Sequence, residues 1–301
     1  MIGDMQKWTP NVAGIIEHAR EIHPKTEIIS RLVSGEIHRS NYEKVCIRSR
    51  KLASALEKDG VKKGDVVATL ALNTYRHLEM YYGISGMGAI THTLNFRLHP
   101  EQAVYIINHA EDKIIFVELP FVPILEALQE NLKTVEKYVV LCEVDEMPET
   151  TLNNAISYEE YIQDGDENYL WPTLEDDAAC ALCYTSGTTG NPKGVLYSHK
   201  SNVIHAQAAL TAMTIKPDDT ILMVVPLFHV LAWGIPYFGP MNGLKLVMPG
   251  MQMEGEPLFE LIDKEDVTLA FGVPTIWMGL LAYCRDNNKI LSSVKNTIIG
   301  G

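Results

Sequence analysis

The sequence is poor in positive charge and has no concentrated basic segment. It contains 25 Lys and Arg against 38 Asp and Glu, which gives a formal net charge of −13. Proteins that bind nucleic acid hold its phosphate backbone with clustered Lys and Arg. The composition therefore excludes nucleic acid as the main partner. A small phosphate ligand is still allowed, because one lysine and a few backbone N–H groups can hold it.

Cysteine is scarce as well. The five cysteines are odd in number and irregularly spaced, which excludes a disulfide framework and indicates a reducing compartment. The N-terminus also lacks the apolar core of a secretory signal, so we expect a cytoplasmic protein. Cys180 and Cys183 form a C-x-x-C in an apolar, strand-like run. No second Cys/His pair follows nearby, so we expect both in the core and not at a metal.

A third absence concerns residues 221–244, which contain no Asp, Glu, Lys or Arg. The length would allow a membrane crossing. Three prolines and three glycines, however, would break such a helix repeatedly. We expect a buried strand, a turn and a buried helix here, and no transmembrane segment.

Short apolar runs alternate with helical patterns along most of the chain. This alternation predicts an α/β fold with largely parallel sheets flanked by helices. Residues 26–37, with Ser34-Gly35 in the middle, predict an antiparallel hairpin at a sheet edge. An acidic, irregular stretch at 145–177 indicates a break between two stacked subdomains, which we place at 1–170 and 171–301.

The most informative stretch is YTSGTTGNPKGVLYSH, residues 184–199, at the end of an apolar strand. Open α/β sheets place ligand crevices at such strand ends. Glycines allow close backbone approach, hydroxyls donate hydrogen bonds and Lys193 supplies a positive charge. The candidate phosphate-binding residues are Thr185, Ser186, Gly187, Thr188, Thr189, Gly190 and Lys193.

Two other interpretations of this stretch are disfavoured. A Walker A loop needs glycine where Pro192 stands, and Lys193 is followed by Gly194 instead of Ser or Thr, which disfavours a P-loop kinase. A flexible surface loop would rarely combine three glycines, four hydroxyls and a lysine between two apolar strands. A polyphosphate cradle remains the favoured interpretation.

These residues resemble the phosphate-binding motif of the adenylate-forming superfamily. Residues 73–98, 225–234 and 272–277 are similar to further family blocks, and Gly300-Gly301 matches the start of its adenine-binding loop. Within the superfamily, the chain looks most like medium- and long-chain fatty acid–CoA ligases. The resemblance implies the fold of an acyl-CoA synthetase N-terminal domain, incomplete here.

The resemblance also implies a reaction. A carboxylate attacks MgATP to give an acyl-adenylate and pyrophosphate, and CoA then displaces AMP to form a thioester. The implied ligands are thus ATP, Mg²⁺, CoA and a small carboxylic acid. Residues 185–193 would grip the departing phosphates, and the hydroxyl of Thr185 would contact Mg²⁺. The family is often dimeric, so a homodimer is allowed.

The block at 225–234 concerns the acid. The resemblance implies that His229 is a catalytic residue that donates to the carboxylate or an α-phosphate oxygen. It also implies that His229, Val230, Trp233 and Gly234 border the acyl group; core positions are the alternative for His229 and Trp233. Amino-acid-activating relatives carry Asp where His229 stands. Because an unpaired ammonium is costly to bury, an apolar acid is favoured. An aromatic acid and a short thioether acid stay open.

Ser198 and His199 predict a helix start, because Ser is a preferred N-cap residue.

The family pattern continues past Gly301 with motifs that this sequence does not contain. We therefore expect the 301 residues to be about the first half of an enzyme and to be inactive alone. The alternative is a non-catalytic, shortened relative that serves as a binding or dimerisation module.

Overall fold

A computed structural model describes residues 8–175, 177–185 and 191–300, which form two mostly parallel sheets flanked by helices. The predicted α/β class is confirmed. The strands are β1 (Glu27–Arg31), β2 (Ile37–Asn41), β3 (Val66–Leu70), β4 (Ile90–Thr93), β5 (Ile114–Val117), β6 (Lys137–Val140), β7 (Ala155–Ser157), β8 (Ala179–Thr185), β9 (Lys193–Ser198), β10 (Thr220–Met223), β11 (Lys245–Met248), β12 (Leu269–Gly272) and β13 (Asn296–Ile299).

Helices connect most of these strands. They are α1 (Val12–Ile22), α2 (Tyr42–Lys58), α3 (Tyr75–Gly86), α4 (Pro100–Ala110), α5 (Val122–Leu128), α6 (Tyr158–Gln163), α7 (His199–Ala212), α8 (Ile235–Met241), α9 (Gly255–Lys264) and α10 (Pro274–Asp286). Short 3-10 turns occur at Leu119–Phe121, Gln129–Asn131, Val144–Glu146 and Val230–Gly234. Among the described residues, no helix is both long and apolar enough to cross a membrane.

The first sheet has seven strands in the order β7-β6-β5-β3-β4-β8-β9. Its neighbours pair in parallel except β8 and β9, which are antiparallel. Helices α2, α3 and α6 pack on one face, and α4 and α5 pack on the other. Cys180 and Cys183 lie buried in β8 as free thiols, as expected of core residues. No metal-binding cluster of His, Cys, Asp or Glu occurs in the described part of the chain.

The second sheet has six strands in the order β13-β12-β10-β11-β1-β2. Strands β1 and β2 form the predicted antiparallel hairpin, and β2 is the edge strand. Each sheet contains strands from both sides of residue 170. The early strands β1 and β2 join the late strands, whereas β8 and β9 join the early ones. Division of the chain at 170 into two subdomains stays a prediction.

One asparagine joins the two sheets. Asn73 lies just after β3 of the first sheet and is almost completely buried. Its Nδ2 donates to the carbonyls of Met223 and Val225 at 2.8 Å each, and its Oδ1 accepts from the amide of Leu227 at 2.8 Å. The hydroxyl of Tyr81 donates to the carbonyl of Leu227. The segment after β10 is therefore held by side chains from the other sheet.

Candidate nucleotide and acyl site

The strand pair β8 and β9 carries the two ends of the glycine-rich stretch. Thr185 is the last residue of β8 and pairs with Lys193, the first residue of β9. Both side chains are exposed. Strand β8 runs parallel to β4, so Thr185 lies at the carboxyl edge of the sheet. Ser186, Gly187, Thr188, Thr189 and Gly190 lie outside the described residues, as does Gly301.

Lys193 provides an available positive charge at this edge. Within residues 8–175, 177–185 and 191–300, it makes no ion pair and its side chain donates no hydrogen bond. An exposed ammonium without a partner can bind a phosphate as a point charge. The hydroxyl of Thr185 is likewise an oxygen donor of the type that Mg²⁺ accepts. Both residues therefore fit the predicted chemistry, and their roles stay predictions.

Tyr184 supports the strand end from one side. Its hydroxyl lies 2.6 Å from Nδ1 of His109. Burial raises the pKa of Tyr184 to about 12, so the phenol stays protonated at neutral pH. Its ring centroid lies 5.1 Å from that of His92 on β4, which is fully buried. No short sequence pattern indicates this group, because His109 and His92 come from separate elements.

A cavity of about 270 Å³ lies between α7 and the turn at residues 230–234. It is lined by Tyr197, Ser201, Asn202, His205, Val230, Leu231, Trp233 and Gly234. Three of the predicted acyl-site residues therefore line one cavity. The residues of α7 were missed, although Ser201, Asn202 and His205 lie at the helical spacing that brings polar groups to one face.

His229 lies next to this cavity along the chain but is not one of its lining residues. Its side chain is exposed, and its backbone carbonyl accepts from the amide of Ala232 at 3.0 Å. An exposed imidazole can reach a bound ligand from the rim. Its catalytic role stays a prediction.

The backbone at residues 230–234 has an unusual conformation. Five consecutive residues have positive φ, with values of 46°, 52°, 47°, 56° and 83° from Val230 to Gly234. This left-handed region costs an L-residue roughly 1–2 kcal/mol. Glycine is required at the last position, because a Cβ on Gly234 would lie 2.5 Å from Nδ1 of His205. The strained turn thus forms one wall of the cavity.

Trp233 brings the two predicted subsites together. A Cβ built on Gly300 would lie 3.0 Å from Cη2 of Trp233. Gly300 was assigned to the nucleotide and Trp233 to the acyl group. The tryptophan is partly buried and packs edge-on to Phe271, with ring centroids 6.5 Å apart. A side chain at position 300 would therefore require the ring of Trp233 to shift.

The start of α7 agrees with the sequence prediction. Ser198 is the N-cap, and its hydroxyl accepts from the amide of Ser201. His199 is fully buried, and its Nδ1 accepts from the amide of Val12 at 3.3 Å. Burial lowers the pKa of His199 to about 4, so the imidazole is neutral. Ser198 and His199 thus begin α7, the helix on which Ser201, Asn202 and His205 line the cavity.

Comparison with protein families gives one match over nearly the whole chain. A profile described as AMP-binding enzyme matches residues 16–301. The chain is 44% identical over 303 residues to the medium-chain-fatty-acid–CoA ligase of Ectopseudomonas oleovorans, covering 100% of this chain and 56% of the relative. The chain is also 44% identical to the 3-methylmercaptopropionyl-CoA ligase of Ruegeria pomeroyi, covering 100% of this chain and 56% of the relative. Identity to the long-chain-fatty-acid–CoA ligase of Thermus thermophilus is 41%, covering 97% of this chain and 52% of the relative.

Solved structures give the same fold. The anthranilate CoA ligase AuaEII, in complex with anthranoyl-AMP, matches with a TM-score of 0.87 at 22% identity, over 99% of this chain and 56% of that chain. A long-chain-fatty-acid–CoA ligase (FadD1) of Archaeoglobus fulgidus matches with a TM-score of 0.84 at 24% identity, over 99% and 59%. At these identities the likeness concerns the fold alone. The chain spans about half the length of the curated relatives it matches.

Proposed function

Because the chain belongs to the AMP-binding enzyme family, we propose that the complete protein activates a carboxylic acid with ATP and transfers the acyl group to CoA. The first step gives an acyl-adenylate and pyrophosphate, and the second gives the thioester and AMP. The observation that carries the proposal is the position of Trp233, which lines the cavity of about 270 Å³ and lies so near Gly300 that a Cβ there would be 3.0 Å from its ring. An acyl group and a nucleotide bound there would meet at one side chain.

We propose a fatty acid as the substrate class. The acyl cavity has apolar walls from Leu231 and Trp233, and no Asp, Glu, Lys or Arg occurs from 221 to 244. Each buried CH₂ contributes roughly 0.8 kcal/mol, so such a wall selects apolar acids. The curated relatives named above act, by their names, on medium-chain, long-chain and 3-methylmercaptopropionyl substrates. The enzyme would thus belong to fatty acid metabolism, or to that of a short thioether acid.

The proposed roles follow from the motif and, for Thr185, Lys193 and His229, from position. Lys193 and residues 185–190 would bind the departing phosphates, and the hydroxyl of Thr185 would contact Mg²⁺, which would neutralise phosphate charge. The exposed imidazole of His229 donates a hydrogen bond to the substrate carboxylate or the α-phosphate from the cavity rim. Because the nucleophile belongs to the substrate, the protein contributes positioning and electrostatic stabilisation.

We further propose that residues 1–301 alone do not turn over substrate, since they span only 56% of the first relative.

The cytoplasm is the proposed location, because the five cysteines are free thiols, which a reducing compartment maintains. We propose that the protein forms a homodimer, which a light-scattering measurement of its molar mass in solution would test.

The decisive experiment is ATP–pyrophosphate exchange with the complete protein and a series of acids from acetate to palmitate. We expect acid-dependent exchange that peaks at one chain length, with AMP and a CoA thioester formed when CoA is added. ADP as the product would indicate a kinase instead. Absence of exchange with every acid would support a non-catalytic binding or dimerisation module. Exchange by residues 1–301 alone would contradict the proposed inactivity of that part.

A further inference from the structure

The first sheet has a second ligand crevice, away from β8. Helix α3 follows β3 and packs on one face of the sheet, where Met80 clusters with Phe116. Helix α5 follows the adjacent strand β5 and packs on the opposite face, where Leu125 clusters with Val117. When the connections of two neighbouring parallel strands leave on opposite faces, a crevice opens between their carboxyl ends, and ligands bind there.

A buried carboxyl group occupies this crevice. Glu118 directly follows β5 and is 4% exposed. Its Oε2 accepts from the amide of Leu72, after β3, at 3.2 Å. In the described part of the chain its Oε1 accepts no hydrogen bond. Burial raises the pKa of Glu118 to about 7, because the carboxylate is incompletely compensated. A buried carboxylate without a full set of donors is costly unless a ligand supplies one.

Glu118 lines a cavity of about 220 Å³ between the crevice and the β1–β2 turn. The cavity is lined by Leu32, Val33, Ser34, Arg76, Glu118, Leu119, Leu141 and Glu146. Four of these side chains are apolar, so the walls suit a hydrocarbon group. None of the lining residues belongs to the acyl cavity.

The charges around the cavity favour a cation. The guanidinium of Arg76 already donates from Nε to Glu159 at 3.0 Å, from Nη2 to Glu143 at 2.5 Å and from Nη1 to the carbonyl of Leu141 at 3.3 Å. Arg48 shares Glu159 and also pairs with buried Glu79, so the two guanidinium groups are already matched by three carboxylates. The ionised form of Glu118 and the exposed Glu146 then leave an excess of negative charge at the cavity, and a bound cation would favour that ionised form.

From these contacts we propose that the cavity binds a small alkylammonium ion. The ammonium group donates to the free oxygen of Glu118, and the alkyl chain packs against Leu32, Leu119 and Leu141. The site is independent of the proposed ligase reaction, because it shares no residue with the acyl cavity.

The test is calorimetric titration of the complete protein with n-butylammonium, with n-butanol and butyrate as neutral and anionic analogues of similar size. We expect saturable binding of the cation at millimolar concentrations and none of the analogues. Glu118→Gln should weaken that binding roughly ten- to a hundredfold, as for loss of a charged hydrogen bond. Glu36→Gln makes the same change at an exposed position of the β1–β2 hairpin and should leave the affinity unchanged.

A second variant tests the site without changing a buried group, in case Glu118→Gln does not fold. Val33 is 36% exposed at the cavity rim, so Val33→Trp fills the cavity from outside without altering a buried group. Binding should be lost while the thermal midpoint is unchanged. Equal affinity for n-butanol, unchanged binding in both variants, or no butylammonium binding to the wild-type protein would each overturn the proposal.

Discussion

The carboxylate of Asp112 lies 2.8 Å from Nδ1 of His92, and neither side chain has exposed surface. His92 is on β4 and Asp112 lies between the end of α4 and the start of β5, so the pair ties β4 to the α4–β5 connection. The ring of His92 in turn packs beside Tyr184, at the start of the glycine-rich stretch. The pair thus lies in the layer that supports the candidate phosphate site.

Removing one member of this pair should be strongly destabilising. Loss of one partner of a buried pair costs about 3–5 kcal/mol, because the other group stays buried without compensation. We expect Asp112→Ala to lower the free energy of urea unfolding by about that amount. Asp145→Ala, at an exposed position, should change it by less than about 0.5 kcal/mol. A double-mutant cycle with His92→Phe should show coupling; additive effects would mean that the contact contributes nothing.

His77 should make the protein sensitive to acid. It is fully buried; its Nδ1–H donates to the carbonyl of Leu72 and its Nε2 accepts from the hydroxyl of Thr69, each at 3.0 Å. Burial lowers the pKa of His77 from 6.5 to about 4. A group with a depressed folded-state pKa contributes stability that is present above pH 6.5 and is lost as the pH falls toward 4.

The expected loss is about 3 kcal/mol at pH 4, at 1.36 kcal/mol for each pKa unit. The free energy of unfolding, measured with urea at each pH, should depend less steeply on pH for His77→Gln than for the wild-type protein. Glutamine keeps a hydrogen-bond donor and an acceptor but does not titrate. His199 has a similarly lowered pKa and should maintain a residual slope. Identical pH profiles for the variant and the wild-type protein would refute the assignment.

Lys193 should affect catalysis but not folding. The exposed side chain has no ion-pair partner in the described residues, so Lys193→Ala removes no internal contact. In the complete protein we expect AMP formation to fall roughly 10²–10³-fold, as when a transition-state donor is removed. Lys216→Ala, at another exposed position, is the control. Retention of wild-type activity by Lys193→Ala, measured as pyrophosphate release, would exclude the proposed role.

Val230→Gly should be tolerated far better than an ordinary valine-to-glycine change. Val230 has φ of 46° and is 43% exposed. Glycine relieves about 1–2 kcal/mol of left-handed strain, which offsets the entropy that it adds to the unfolded chain. The control Val195→Gly, in β9 with 39% exposure, has no strain to relieve and should lose about 1 kcal/mol. Equal losses in thermal unfolding would show that the turn is unstrained.

Local patterns predicted the elements that depend on neighbouring residues. The α/β alternation, the hairpin around Ser34-Gly35 and the Ser198 cap follow from periodicity and capping chemistry, and the structure contains all three. Sheet membership was not predictable, because β1 pairs with β11 more than 200 positions later. The left-handed turn was also missed, since Val230 to Trp233 contain no glycine or asparagine to indicate it.

At the candidate site, Val230, Trp233 and Gly234, which the motif assigned to the acyl group, line one cavity, and their role stays a prediction. It gave no information about Glu118 and Arg76, which face a second cavity. Such residues come together only through strand order, and a single sequence does not encode that order in any short pattern. The same holds for Asp112 and His92, which are joined by the return of α4 across the sheet.

The three hydrogen bonds of Asn73 have a consequence for how the molecule comes apart. Because a side chain of the first sheet completes the segment after β10 of the second sheet, that segment lacks these interactions when the two sheets are separated. Melting should proceed as a single cooperative transition, and Asn73→Ala should split it into two calorimetric peaks. Polypeptides cleaved within residues 145–177 would then regain structure only by complementation, when the two pieces are mixed.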